Sequence, residues 1–133
     1  MPLVKINLRK GRTVSEKAAI GDSIQSALVS KLKVPDADRF QFFNEYDDDS
    51  FRHSSGYLGM TYTEQLLIIE ITVLQGRDDE LKKSLLAAIS DNLVEAGVVG
   101  RDDVVVLITE IGLANISFGQ GLAQRAPAAQ PSN

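Results

Sequence analysis

The chain has 133 residues, 44% of them hydrophobic and 24% charged, which suits one folded domain rather than a disordered segment. A net charge of −4 with no basic cluster argues against a nucleic-acid surface. The absence of cysteine rules out disulfide and thiolate chemistry, and one histidine is too few for a histidine-rich metal centre.

Lys5, Arg9, Lys10 and Arg12 interrupt any leading apolar run, so no signal peptide is expected. No stretch approaches the roughly 20 apolar residues of a membrane span. A cytoplasmic protein is the default expectation.

In chain order, Met1-Pro2 comes first. Methionine before so small a residue is normally trimmed, which would leave Pro2 as a free secondary amine. An α-amino group ordinarily titrates near 7.7–8.0, and desolvation lowers that value. Pro2 is therefore a candidate proton carrier near neutral pH, although proline also simply suits the head of a strand.

Leu3–Arg9 reads as a strand with Val4, Ile6 and Leu8 on its buried side. Gly11 turns the chain, and Thr13-Val14-Ser15-Glu16 is a capping box. Ile20, Ile24, Leu28 and Leu32 make one helical stripe, with Pro35 as the expected stop. Arg39–Glu45 carries Phe40, Phe42 and Phe43 and reads as a second strand.

Residues 46–63 are expected to form a solvated loop. Asp47-Asp48-Asp49 lacks the ligand spacing of a calcium loop, and His53 is read as a surface histidine. Leu66–Leu74 is the most apolar strand, followed by a Gly76-Arg77 turn. Asp78 and Asp79 suit a helix start; Leu81, Leu85, Ile89 and Leu93 repeat the stripe, and Gly97 ends it. Val104–Thr109 is the fourth strand, and Asn115–Leu122 is expected to be a hairpin-like extension. Residues 126–133 are expected to be a loose tail after a single domain spanning 1–125.

The chain is written twice. A shift of 65 positions sets Ile6 on Ile71, Gly11 on Gly76, Arg12 on Arg77 and Lys17 on Lys82. It also sets Ile24 on Ile89, Leu28 on Leu93, Asp38 on Asp103 and Glu45 on Glu110. Each repeat (2–46 and 67–111) is a β-α-β unit with parallel strands and a right-handed crossover. Two such units about a local two-fold axis predict an α+β fold: a four-stranded mixed sheet with two helices on one face. The other face would be left to oligomerisation.

If the first strands of the repeats pair antiparallel, Pro2 lies near Arg77, and Asp38 opens at the same edge. An amine, a guanidinium and a carboxylate then surround one pocket. A guanidinium fork grips a carboxylate through paired hydrogen bonds and stabilises charge developing on oxygen. Asp38 also has a turn-capping explanation, because Asp103 matches it. Arg12 faces Leu67 where the amine would be, so it is read as vestigial or structural.

These residues resemble the tautomerase superfamily. The motifs are Met1-Pro2-Leu3, the paired Gly-Arg turns, Val34-Pro35-Asp36-Ala37-Asp38-Arg39-Phe40-Gln41, Gln75-Gly76-Arg77 and Ser117-Phe118-Gly119-Gln120-Gly121. They are most similar to the malonate semialdehyde decarboxylase branch, over roughly residues 2–124. Gln75 stands where decarboxylase relatives often carry a second arginine, and Ile116 and Arg125 stand where they carry aromatics. The resemblance implies a homotrimer without cofactor or metal. It implies Pro2, Arg77 and Asp38 as catalytic residues, and Arg77, Gln75 and Phe118 as substrate-binding residues.

The function expected first is keto–enol tautomerisation of small oxo-carboxylic acids. Decarboxylation or hydration of a three-carbon oxo acid is the alternative enzyme, and a non-catalytic oligomeric ligand-binding protein is the alternative of another class.

Overall fold

The computed structural model describes residues 1–128. Strands β1 (Leu3–Arg9), β2 (Gln41–Tyr46), β5 (Leu67–Leu74) and β6 (Val104–Ile111) form one sheet in the order β2-β1-β5-β6. Strands β3 (Gly56–Tyr57) and β4 (Met60–Thr61) form a small separate hairpin. β1 and β2 run parallel, as do β5 and β6, and β1 pairs antiparallel with β5 at the centre. Leu3 lies opposite Thr72 in that central pair. The head of β1 therefore sits beside the tail of β5, as the two-fold argument requires.

Helices α1 (Val14–Leu32) and α2 (Asp79–Glu95) pack on each other and on one face of the sheet. Their local causes repeat. Gly11 and Gly76 share a φ of +124°, a region that L side chains rarely adopt. Thr13 then caps α1 through a complete capping box with Glu16, and Asp78 caps α2 by accepting from the Leu81 N–H at 2.8 Å.

One core joins the two repeats: Val4, Ile6 and Leu8, Leu67, Ile69 and Ile71, Ile20, Ile24 and Leu28, and Leu85, Ile89 and Leu93. Each such side chain, fully buried, contributes about 1.5–3 kcal/mol. The helix stripes and the period-two strand pattern therefore meet in a single layer.

Several boundaries differ from expectation. α1 ends at Leu32, where its apolar stripe ends, but the stop is Lys33 in a left-handed conformation (φ +59°) rather than Pro35 two residues on. β2 starts at Gln41 rather than Arg39, and β6 runs on to Ile111. The 46–63 connector is not plain loop, since it holds a short 3-10 turn at Asp48–Ser50 and the β3–β4 hairpin. Residues 115–122 form turns rather than a hairpin. There the Gln124 side chain accepts from the Phe118 N–H and donates to the Gly119 carbonyl, both at 3.0 Å. Of the expected tail, residues 129–133 lie outside the described residues. Among the described residues no helix is long and apolar enough to cross a membrane.

Candidate active site

The Gly76 turn carries the chain from the end of β5 into α2 and sets Arg77 at the sheet edge. Its Nη1 donates to the Leu74 carbonyl at 3.1 Å, and the side chain is half-buried. Asp38 closes the turn after α1, its N–H donating to the Pro35 carbonyl at 2.9 Å. Gln25, buried in α1 at 1% exposure, clamps that turn. Its Nε2 donates to the carbonyls of Asp38 (2.8 Å) and Asp36 (3.3 Å).

Asp38 and Arg77 line one cavity of about 230 Å³, together with Met1, Lys33 and Arg125. The Met1 amino nitrogen lies 4.0 Å from Asp38 Oδ2, and the methionine side chain is only 5% exposed. Pro2 is buried directly behind it, at the head of β1. A second cavity of about 210 Å³ is lined by Met1, Asp38, Phe40, Phe118 and Arg125. Thus Asp38, Arg77 and the chain's amino end come together, and Phe118 joins them from the second cavity. Gln75 is exposed and lines neither.

The matching residues of the other repeat behave differently. Arg12 is 9% exposed, and its Nη2 donates to the Gln65 carbonyl at 2.6 Å. Burial pushes its guanidinium below the ordinary arginine value, partly offset by Glu16 and Asp103, although a guanidinium stays protonated at neutral pH. Asp103 is 5% exposed and accepts from the N–H and hydroxyl of Thr63. Residues 63–65, leading into β5, thus occupy both partners. At the other end β1 follows directly on Met1–Pro2, and the Asp38 side chain remains 45% exposed. Asp103 thus anchors the segment before β5 rather than capping its own turn, and the structural reading of Arg12 agrees with its carbonyl partner.

The sequence missed Gln25, Gln124 and the placement of Arg125, since a single polar residue in a helix or coil leaves no periodic signal. His53 is not a plain surface residue. It is half-buried, its Nε2 lies 3.0 Å from Arg9 Nη1, and its ring packs edge-on against Phe51 and Tyr62. Asp47 and Asp48 pair with Lys10 (2.9 Å) and Arg9 (3.6 Å). Among the described residues no group of three or more His, Asp or Glu could hold a metal ion.

A family model described as "Tautomerase enzyme" matches residues 38–119, and a second of the same description matches residues 2–53. The chain belongs to the tautomerase superfamily. Within that superfamily, the "Probable tautomerase YusQ" of Bacillus subtilis (strain 168) is 31% identical over 124 residues, or 93% of this chain and 98% of its own. The "Probable tautomerase YrdN" of the same organism is 28% identical, covering 93% and 95%. Among solved structures, FG41 malonate semialdehyde decarboxylase inhibited by 3-bromopropiolate is 34% identical, with a TM-score of 0.83 and 92% of each chain covered. A second malonate semialdehyde decarboxylase is 25% identical, with a TM-score of 0.84 and coverage of 92% and 94%. The tautomerase-superfamily fold and an isomerase or lyase chemistry follow, and both of these solved relatives are malonate semialdehyde decarboxylases.

Proposed function

We propose that this chain is a cofactor-independent enzyme of small oxo-carboxylic acids that works through the Pro2 amine exposed when Met1 is removed. One observation carries this reading: Asp38, Arg77 and the chain's amino end line one cavity at the head of β1, whereas the cavity lined by Arg12 at the other end holds neither an amino end nor Asp103, which is bonded to Thr63. Each arginine gives one N–H to a backbone carbonyl, Arg12 to Gln65 and Arg77 to Leu74. The remaining Arg77 donors, in the cavity shared with Asp38 and the amino end, hold a substrate carboxylate. Removing Met1 clears a side chain that now occupies the site.

The lyase reading, decarboxylation or hydration of a three-carbon oxo acid, is now the better supported. Two malonate semialdehyde decarboxylases match over 92% of the chain. This reading takes Pro2 in its protonated form. In that form Pro2 donates to the substrate carbonyl oxygen while Arg77 holds the carboxylate. The carbon–carbon bond to the carboxylate then breaks, its electron pair moves into the enol, and CO₂ leaves. Keto–enol tautomerisation, with a neutral Pro2 moving the proton, is the second reading and is favoured by the curated relatives' names.

The assay pairs malonate semialdehyde with phenylenolpyruvate, using protein whose N-terminus has been checked by mass. Pro2→Ala is expected to lower turnover about 10²-fold or more while the oligomer persists; unchanged turnover removes Pro2 from the mechanism. Arg77→Ala is expected to raise KM, and a normal KM in that variant would contradict carboxylate gripping. We also propose that the helix-free sheet face assembles the chain into a trimer.

A further inference from the structure

The segment after β6 brings another cation to the same hollow. Arg125 lines both cavities, the first with Lys33, Asp38 and Arg77, the second with Asp38, Phe40 and Phe118. Its backbone is held on both sides. Gln124 is clasped to the turn that carries Phe118, and the Ala126 N–H donates to the Ala123 carbonyl at 3.2 Å, closing a turn around Arg125.

Asp38 is the one acidic side chain lining either cavity, against Lys33, Arg77 and Arg125. A substrate with a single carboxylate matches Arg77 and gives the Arg125 guanidinium no anionic partner. Arg125 is better suited than Lys33 to take a further anion. It borders both hollows, and its planar fork binds a carboxylate bidentately, whereas Lys33 offers a point charge at the edge of one.

We propose that Arg125 grips a second carboxylate where a ligand carries one, so that small diacids bind the site more tightly than single-carboxylate acids such as malonate semialdehyde. This rests on the reading of Arg77 as the first carboxylate's partner, and Arg125 acts here as a specificity-determining residue.

Calorimetric titration of the mature chain with succinate and with butyrate tests it, since the two acids differ by one carboxylate on the same carbon skeleton. Succinate is expected to bind at least about tenfold more tightly than butyrate, as a further charge-assisted bidentate pair implies. Arg125→Gln, an exposed coil position, is expected to erase that preference while leaving butyrate affinity as it was. Arg77→Gln should weaken both acids, and Arg125→Lys should restore only part of the preference. The proposal is overturned if the wild-type chain shows no succinate preference, if the preference survives Arg125→Gln, or if neither acid binds. Turnover dependent on Pro2 without a succinate preference would keep the functional reading and remove Arg125. A preference abolished by Arg125→Gln, without turnover of any oxo acid, would keep the grip and sink the enzyme.

Discussion

Gln25 has no reactive group, yet it fixes one that does. Its amide holds two carbonyls of the turn bearing Asp38 from a fully buried position in α1. Gln25→Leu would strand those carbonyls, at a cost of about 1–3 kcal/mol, readable as a lower urea midpoint. If the turn positions Asp38 for the reaction, kcat should also fall; stability loss without a change in kcat would make Gln25 purely structural. Gly76 is the second such residue. Its φ of +124° means that Gly76→Ala strains the Arg77 turn by about 1–3 kcal/mol although the new methyl meets no neighbour. A thermal melt reports the strain, and KM reports any displacement of Arg77. The placement of Asp38 and Arg77 at one edge was legible from the repeat together with antiparallel pairing of its two first strands. Pro2, which has no match in the second repeat, stood out only by following Met1. Gln25 and Arg125 were not legible, because what they do depends on which carbonyl or hollow the folded chain brings within reach.

The same doubling is visible in how helices and strands are tied. Lys17 pairs with Glu45 at 2.9 Å, joining α1 to β2, and 65 positions on Lys82 pairs with Glu110, joining α2 to β6. The hydrogen bond from Lys82 holds the Glu110 carboxyl below its ordinary value, and the same bond holds the Lys82 ammonium above the ordinary lysine value. A lowered carboxyl contributes stability above its unfolded pKa and loses it as pH falls through the folded one. A raised ammonium contributes below its unfolded pKa and loses it as pH rises through the folded one. The tie is therefore intact at neutral pH and fails at both extremes. In Glu110→Gln the urea midpoint should fall less steeply than wild type between about pH 5 and pH 3; parallel curves would show that the pair contributes nothing. Helices, principal strands and caps were readable from apolar spacing and from Thr13, Glu16 and Asp78. The β3–β4 hairpin was not. Its turn places Leu58 (φ +50°) and Gly59 (φ +85°) in left-handed conformations, where asparagine or aspartate followed by glycine is the usual signal, and leucine gives no such cue.

For the whole molecule, the open side of the sheet carries Phe42 and Leu107, each 50% exposed. Beside them runs a polar strip in which Asn7 donates to Glu70 at 2.9 Å and accepts from Asn44 and Tyr46. In sedimentation the wild-type chain is expected to run as a trimer, and Leu107→Glu, harmless to a lone subunit, to run as a monomer. Trimers that survive this charge would place the contact elsewhere. The strand order and the single core were predictable because two β-α-β units leave few ways to pair. What lies against the bare face was not, since side chains there answer to a neighbour and not to the chain itself. The strap over Arg12 and Asp103 carries a last consequence: both ends hold a hollow, and which of the two contains the amino end follows from where the polypeptide is cut. A circular permutant beginning at residue 66, with Leu67→Pro and the original termini joined, would lift Gln65 away from Arg12. The amino end would then stand in the hollow at the opposite pole of the sheet, beside Arg12.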